Sequence, residues 1–128
     1  MNKYLEILEN EFTIHRLNAD EIIPSKVYES KFYWIGKTDK ELSIVCESNI
    51  LLNTEKSNSD WCIIKISGKL DFSMVGILAE ISNALKNAGI SLIALSTYDT
   101  DYIMLKKSKL IIAKDALEKI GYVFKYTK

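Results

Sequence analysis

The clearest pattern in the chain is a stripe of apolar residues that recurs every three or four positions in its second half. The stripe consists of Val75, Leu78, Ile81, Leu85 and Ala88, widened by Met74, Ile77 and Ala84. This spacing predicts one apolar face of an α-helix of about four turns. Asp71 or Ser73 is placed to cap the start of the helix, and Gly89 is placed to end it in a left-handed conformation.

Short apolar or alternating runs surround this helix. They predict strands over 61–66, 90–95, 102–105 and 122–126, and a second, short helix over 113–121. The resulting order is strand, helix, strand, strand, helix, strand. That order is typical of an α+β ferredoxin-like (βαββαβ) plait, an antiparallel sheet with both helices on one face.

The first half of the chain has strand patterns but no long amphipathic stripe. Alternation predicts strands over 11–17, 32–35 and 42–46, and Pro24 opens a single helical turn over 26–30. This half resembles the second with its long helix removed, so we expect it to cover its sheet by packing against the second half or a partner chain. The polar, Asn- and Ser-rich stretch 52–60 predicts a linker, which divides the chain into subdomains 1–56 and 57–128.

Composition and charge narrow the classes of function. The 128 residues carry 17 basic and 17 acidic side chains, and Arg16 is the only arginine, which excludes a generic polyanion binder. Residues 1–60 hold 7 basic and 11 acidic side chains, whereas residues 61–128 hold 10 and 6. Halves of opposite sign indicate subdomains that attract each other or pair across a dimer.

Candidate catalytic chemistry is sparse. His15 is the only histidine and lies within an alternating strand, where we expect a surface or interface residue rather than a catalytic base. Cys46 and Cys62 lie in apolar strand contexts and are predicted to be buried free thiols. The five glycines form no phosphate-binding cluster, and one histidine leaves no room for a Cys/His metal site. We therefore predict no enzyme, no cofactor and no metal.

The sequence argues against two kinds of macromolecular partner, nucleic acids and membranes. The plait is also the scaffold of RNA-recognition domains, but the predicted central strands offer only Trp61 and Tyr102 for base stacking, and the Lys/Arg-Gly-aromatic signature is absent. No run of eighteen apolar residues occurs, and the first twenty residues are acidic and broken. We therefore expect no nucleic-acid partner, no membrane span and no signal peptide, in a cytoplasmic protein.

Two polar segments that have no catalytic or macromolecular assignment are suited to bind a small polar ligand. The loop before the long helix offers backbone N–H groups to a carboxylate, and Asp71 beside it suits an ammonium group. The segment Ser96–Asp101 concentrates hydroxyls and carboxylates at the end of a strand. Together these groups match a free amino acid. The alternative is a hairpin turn whose side chains bond their own backbone, and the residues alone leave both interpretations open.

Residues 68–81, 88–91 and 95–103 together resemble ACT domains, and more closely the branch that includes the arginine-sensing CASTOR proteins and the regulatory domains of aspartate kinases. The resemblance covers residues 61–128, while the first half resembles the degenerate partner domain of that branch through residues 38–46. It implies a domain that pairs with another and binds an amino acid between the loop before the helix and a facing strand. The implied loop residues are Asp71, Phe72, Ser73, Met74, Val75, Gly76 and Ile77. The implied strand-end residues are Ser96, Thr97, Tyr98, Thr100 and Asp101.

The resemblance also implies a contact with the ligand from Ser43 and Ile44 of the first half, and it makes Asp101 the acid that holds the ligand. Ser73 departs from commoner ACT domains, which place Asp or Asn three residues before the glycine. We accordingly expect a homodimeric regulatory protein that binds an amino acid, lacks catalysis and passes its signal to a partner protein. The alternative is a ligand-free dimerisation or protein-interaction module built on the same plait.

Overall fold

The structure, a computed structural model, describes residues 4–66 and 76–126. The chain forms two compact units. The sheet unit is Asn10–Trp61, and the plait unit combines Met1–Glu9 with Cys62–Lys128. In chain order the strands and helices are β1 (Tyr4–Ile7), β2 (Phe12–Leu17), β3 (Tyr33–Lys37), β4 (Leu42–Glu47), β5 (Lys56–Ile66), α1 (Ile77–Asn87), β6 (Ile93–Ser96), β7 (Asp101–Lys106), α2 (Leu110–Glu118) and β8 (Val123–Tyr126).

The plait unit has the predicted order of elements, from the second part of β5 through α1, β6, β7 and α2 to β8, and the α+β ferredoxin-like fold class is confirmed. Its strands are arranged β8-β1-β5-β7-β6. No pattern in the sequence predicts β1, which lies between β5 and β8. It runs antiparallel to β5 and parallel to β8, with Leu5 opposite both Ile66 and Phe124.

The core of the plait unit is built from the predicted apolar faces. Ile81 and Leu85 of α1 are completely buried, as is Leu117 of α2. They pack in one cluster with apolar side chains of the strands, among them Leu5 and Ile64. Burial of side chains of this kind contributes about 1.5–3 kcal/mol each, so the stripe of α1 is a main source of stability.

Glycines in a left-handed conformation stand at both ends of α1. Gly76 has a φ of +94° and is the N-cap of α1, without a side-chain hydrogen bond. The predicted caps Asp71 and Ser73 lie outside the described residues, and the helix is shorter than predicted because the left-handed Gly76 cannot continue it. At the other end the prediction is confirmed. Gly89 is left-handed, and the Ile90 N–H donates to the Leu85 carbonyl at 2.9 Å, which forms a Schellman motif.

The sheet unit has strand order β3-β4-β2-β5. The predicted strands β2, β3 and β4 are confirmed within a residue or two at each end, and the predicted helical turn is a 3-10 helix over Ser25–Glu29. Its Val27 is completely buried against the inner face of the sheet, where Leu42 and Ile44 are also buried. This unit therefore has a small core of its own.

The prediction of a linker over residues 52–60 is wrong for its second part. Lys56–Ile66 is one strand, and its first residues pair with β2. These residues have polar, exposed side chains, and their backbone groups still pair with β2. The register shifts within this segment, and Asp60 has a φ of +67°, so the strand carries a β-bulge there.

Candidate functional site

The predicted strand-end residues form a tight hairpin between β6 and β7. Ser96 and Asp101 are register partners, and the Ser96 hydroxyl donates to Oδ1 of Asp101 at 2.6 Å. The Thr97 backbone N–H and its hydroxyl both donate to the Thr100 carbonyl, at 2.9 and 3.2 Å. The structure thus brings Ser96, Thr97, Thr100 and Asp101 together. These bonds are also those of a hairpin that holds its own backbone.

The Asp101 carboxylate keeps acceptor capacity in this arrangement. The hydrogen bond from Ser96 reaches Oδ1, which leaves the lone pairs of Oδ2 for a further donor. Tyr98 is 100% exposed, so its ring does not fill a crevice beside the hairpin. The hairpin accordingly presents hydroxyls and one carboxylate next to an aromatic ring that is free of packing contacts.

The start of α1 is the second predicted part of the site. Leu78 and the residues of the first turn lack an intrahelical acceptor for their N–H groups, and α1 has no side-chain cap. A Cβ added at Gly76 would meet no atom of residues 4–66 and 76–126 within 4 Å. Ile77 is half-buried and packs against the core of the plait unit.

The remaining loop residues of the prediction, Asp71, Phe72, Ser73, Met74 and Val75, lie outside the described residues. In a βαββαβ plait the loop after the first strand and the hairpin after the second strand lie at the same edge of the sheet. In this chain these two strands are β5 and β6. The topology therefore brings the start of α1 and the Ser96–Asp101 hairpin to one edge of the plait unit.

The two predicted contacts from the first half lie side by side on β4, in the sheet unit. The Ser43 hydroxyl donates to Oε1 of Glu41 at 3.1 Å. Ile44 is completely buried in the core of the sheet unit. Neighbouring residues on a strand point to opposite faces, so these two side chains face different surroundings.

The prediction that His15 is a surface or interface residue is wrong. Its side chain is 5% exposed, and its Nδ1 lies 2.8 Å from Oγ1 of Thr54. The reason is a segment, residues 48–54, that the strand pattern does not show and whose Thr54 reaches the histidine. Burial lowers the pKa of His15, which favours the neutral imidazole.

Cys46 and Cys62 are buried free thiols, as predicted. Burial raises the pKa of Cys46, and it raises that of Cys62 to about 11; the Cys62 thiol also donates to the Leu105 carbonyl at 3.4 Å, which favours its protonated form. Both are therefore protonated at neutral pH, unlike a nucleophilic thiolate. Within residues 4–66 and 76–126, no cluster of three metal-ligating side chains occurs, and no helix is long and apolar enough to cross a membrane.

A polar cavity in the sheet unit was not predicted. It has a volume of about 400 Å³ and lies where β2 ends and β5 begins, with Arg16, Thr54 and Lys56 in its wall. The available signal was Arg16, the only arginine of the chain. Its neighbour Lys56 fell in the predicted linker, so the sequence did not place the two together.

The polar hairpin and the start of α1, at one edge of a βαββαβ sheet, place the chain in the class of ferredoxin-like α+β domains. The family is specified by comparison: the ACT domain model matches residues 56–119, half of the chain, and the protein belongs to the ACT domain family. A second family model, described as an N-terminal domain, matches residues 10–53. A comparison with curated proteins gives no match.

Solved structures of other proteins share the fold of the chain. An Agobacterium tumefaciens protein shares 29% identity with the chain, with a TM-score of 0.91, and the match covers 100% of this chain and 96% of the other. The regulatory subunit of aspartate kinase from Thermus thermophilus shares 12% identity at a TM-score of 0.60, covering 88% and 93%. Aspartokinase alpha and beta subunits share 15% identity with the chain at a TM-score of 0.62, and the match covers 93% of this chain and 97% of the other.

The two aspartate kinase matches show similarity of fold alone at these identities. Membership of the ACT family indicates a regulatory, ligand-binding class of protein, and neither family match describes a catalytic domain.

Proposed function

We propose that this protein binds a free amino acid at the edge of its plait unit and thereby regulates a partner protein, without catalysis of its own. The observation that carries the proposal is the Ser96–Asp101 hairpin, which presents a half-buried carboxylate with a spare oxygen. It lies at the sheet edge on which α1 also begins. Membership of the ACT family supports the same function.

The chemistry of the two parts is complementary to an amino acid. N–H groups in the first turn of α1 are donors for a carboxylate, assisted by the positive end of the helix dipole. Asp101 is an acceptor for an ammonium group, since a charged donor and a carboxylate form the stronger kind of hydrogen bond. Gly76 has no side chain, so no Cβ stands between a ligand and the first turn of the helix. The full proposed set keeps the loop residues 71–77, the strand-end residues named above, and Ser43 and Ile44.

We further propose that the protein is a cytoplasmic homodimer of the CASTOR-like branch, with ACT-like subdomains over 1–56 and 57–128. The two family matches meet between residues 53 and 56, which supports this division of the sequence. For the dimer, the support is Ile111 on α2, which is 84% exposed although it belongs to a helix with an apolar inner face.

The second candidate function is a dimerisation or protein-interaction module that binds no ligand. The hydrogen bonds from Ser96 to Asp101 and within Thr97–Thr100 favour it, because they give the polar hairpin a structural role. The two functions differ in one measurable property, the binding of a small molecule.

A thermal-shift screen against the twenty amino acids separates them. A ligand present at about one hundred times its Kd stabilises the native state by roughly 2.7 kcal/mol, which raises the Tm of a domain of this size by several degrees. We expect one amino acid or one chemical class to respond. In Asp101→Asn the response should disappear while the ligand-free Tm changes little, since the amide oxygen still accepts from Ser96.

Asp99→Asn is the matched control, because it removes the same charge from an exposed position in the same turn. It should keep the response. A folded protein that responds to none of the twenty contradicts amino-acid binding and favours the interaction module. A response that survives in Asp101→Asn removes Asp101 from the site.

A further inference from the structure

Two cations lie side by side in the sheet unit. Arg16 of β2 and Lys56 of β5 are register partners in the antiparallel ladder. Side chains directly opposite each other share a face of the sheet, and like charges in that position destabilise the pair. Within the part of the chain that the structure describes, neither side chain forms an ion pair with a carboxylate. An anion placed between the two side chains would reduce their mutual repulsion.

Both cations border cavities. The cavity of about 400 Å³ at the end of β2 contains Arg16 and Lys56 in its wall, together with Asn53, Thr54 and two acidic residues. A second, more open cavity of about 350 Å³ shares Arg16 and Lys56 and adds Ser43 and Glu41, whose carboxylate accepts from the Ser43 hydroxyl. The volume of the first lies in the lower range of small-molecule pockets, which indicates a small ligand.

The Arg16 side chain is oriented by one contact. Its Nη2 donates to the Lys40 carbonyl at 3.4 Å. A guanidinium group has five N–H donors in a planar fork, so this bond leaves donors for a carboxylate or phosphate group. The contact with the backbone restricts the guanidinium group and lowers the entropy that binding would cost.

Thr54 adds a third donor because of the buried histidine behind it. His15 Nδ1 lies 2.8 Å from Oγ1 of Thr54, while Nε2 of the same ring is buried and has no hydrogen-bond partner. A buried N–H without an acceptor is less tolerable than a bare nitrogen lone pair, so the proton belongs on Nδ1. Nδ1 then donates to Thr54, whose own hydroxyl proton is left to point elsewhere. Thr54 lines the cavity, and the cavity offers it an acceptor when an anion is bound.

The acidic residues in the wall limit the charge of the ligand. Glu21 is engaged with the backbone, since its Oε2 accepts from the Asn18 N–H at 2.6 Å, and Glu55 is exposed. Two carboxylates balance the two cations in formal charge, so a ligand with a single oxyanion group is favoured over a polyanion.

From these observations we propose that Arg16, Lys56 and Thr54 bind the oxyanion group, a carboxylate or a phosphate, of a small metabolite in the sheet unit. The three proposed binding residues belong to the sheet unit and are not members of the proposed amino-acid set, although Ser43 of that set lines the more open cavity. The oxyanion site uses none of the hairpin residues, and its test does not depend on whether Asp101 binds a ligand.

The test is an NMR titration of the full chain with sodium acetate and, separately, with inorganic phosphate, at an ionic strength held constant with sodium chloride. We expect saturable shifts of the backbone amides of Arg16, Thr54 and Lys56 with at least one probe. Arg16→Gln should weaken this binding at least tenfold. Lys37→Gln is the matched control, because it removes one positive charge from an exposed position on β3 of the same unit and should leave the affinity unchanged.

Two further variants keep the test decisive. Lys56→Gln changes an exposed side chain and should fold even where Arg16→Gln does not, again with a tenfold loss. Thr54→Val keeps the shape but removes the hydroxyl, and a loss of roughly two- to tenfold is expected for one hydrogen bond. Saturation with acetate alone identifies a carboxylate ligand, and saturation with phosphate alone identifies a phosphorylated one. The proposal is overturned when neither probe saturates, or when Lys37→Gln weakens binding as much as the cavity variants do.

Discussion

Burial of His15 makes the stability of the protein depend on pH. The side chain is buried in the sheet unit beside Thr54, and burial lowers its pKa in the folded state. In the unfolded chain the group titrates near its ordinary value of about 6.5. Below that pH the unfolded state binds a proton that the folded state resists, so the free energy of unfolding falls as the pH falls and levels off below the folded-state pKa.

We therefore predict that His15→Asn removes part of the acid sensitivity of the protein. Urea denaturation between neutral and mildly acidic pH should show a loss of stability in the wild type that is smaller in the variant. Asparagine is neutral throughout and still has a side-chain donor for Thr54. Equal slopes of unfolding free energy against pH in the two proteins would show that His15 is not the titrating group.

The orientation of His15 was partly available from its strand. A period of two places it on the same face as Thr13 and Leu17, and Leu17 is a core residue of the sheet unit. The burial of His15 depends on a contact between segments that are distant in the sequence. Thr54 is 39 residues away in sequence, and no local pattern indicates that its segment covers the histidine.

At the scale of elements, β1 has the greatest consequence for the fold. This four-residue strand pairs with both β5 and β8, and its Leu5 and Ile7 are buried in the core of the plait unit. Its length is too short for a clear alternating pattern, and its partners lie more than fifty residues away, which is why the sequence does not predict it. The helices, by contrast, repeat over several turns and end at glycines, and both were predicted.

Leu5→Ala tests whether β1 is an integral part of the plait unit. Removing a fully buried leucine side chain costs about 2–5 kcal/mol, so urea denaturation should show a loss of unfolding free energy in that range. Glu6→Ala is the control on the same strand. Its carboxylate lies 3.9 Å from Nζ of Lys65 in a half-exposed pair, which is worth about 1 kcal/mol or less. A Leu5→Ala variant no less stable than Glu6→Ala would contradict an integral role for β1.

At the scale of the whole molecule, the sequence determines the fold class better than the site. The order of strands and helices depends on local periodicity, so the plait followed from it directly. The register that places Lys56 opposite Arg16 does not follow from local periodicity. It depends on the pairing of segments forty residues apart and on a bulge at Asp60. For the plait-unit site, the hairpin was predicted as a cluster, whereas the hydrogen bond that uses one Asp101 oxygen depends on rotamers that no sequence pattern shows.

The proposed homodimer is the last property of the whole molecule that can be tested directly. Ile111 of α2 is 84% exposed and its neighbour Ile112 is 48% exposed, so α2 presents adjacent apolar side chains that a partner surface would cover in the proposed dimer. Ile111→Lys should therefore shift the monomer–dimer equilibrium toward monomer, as measured by sedimentation velocity over a range of protein concentrations. Ile22→Lys is the matched control, since Ile22 of the sheet unit is 90% exposed and undergoes the same change of charge and size. A wild-type protein that stays monomeric at every concentration would exclude the dimer, and an equal effect of both substitutions would exclude α2 as the surface that forms it.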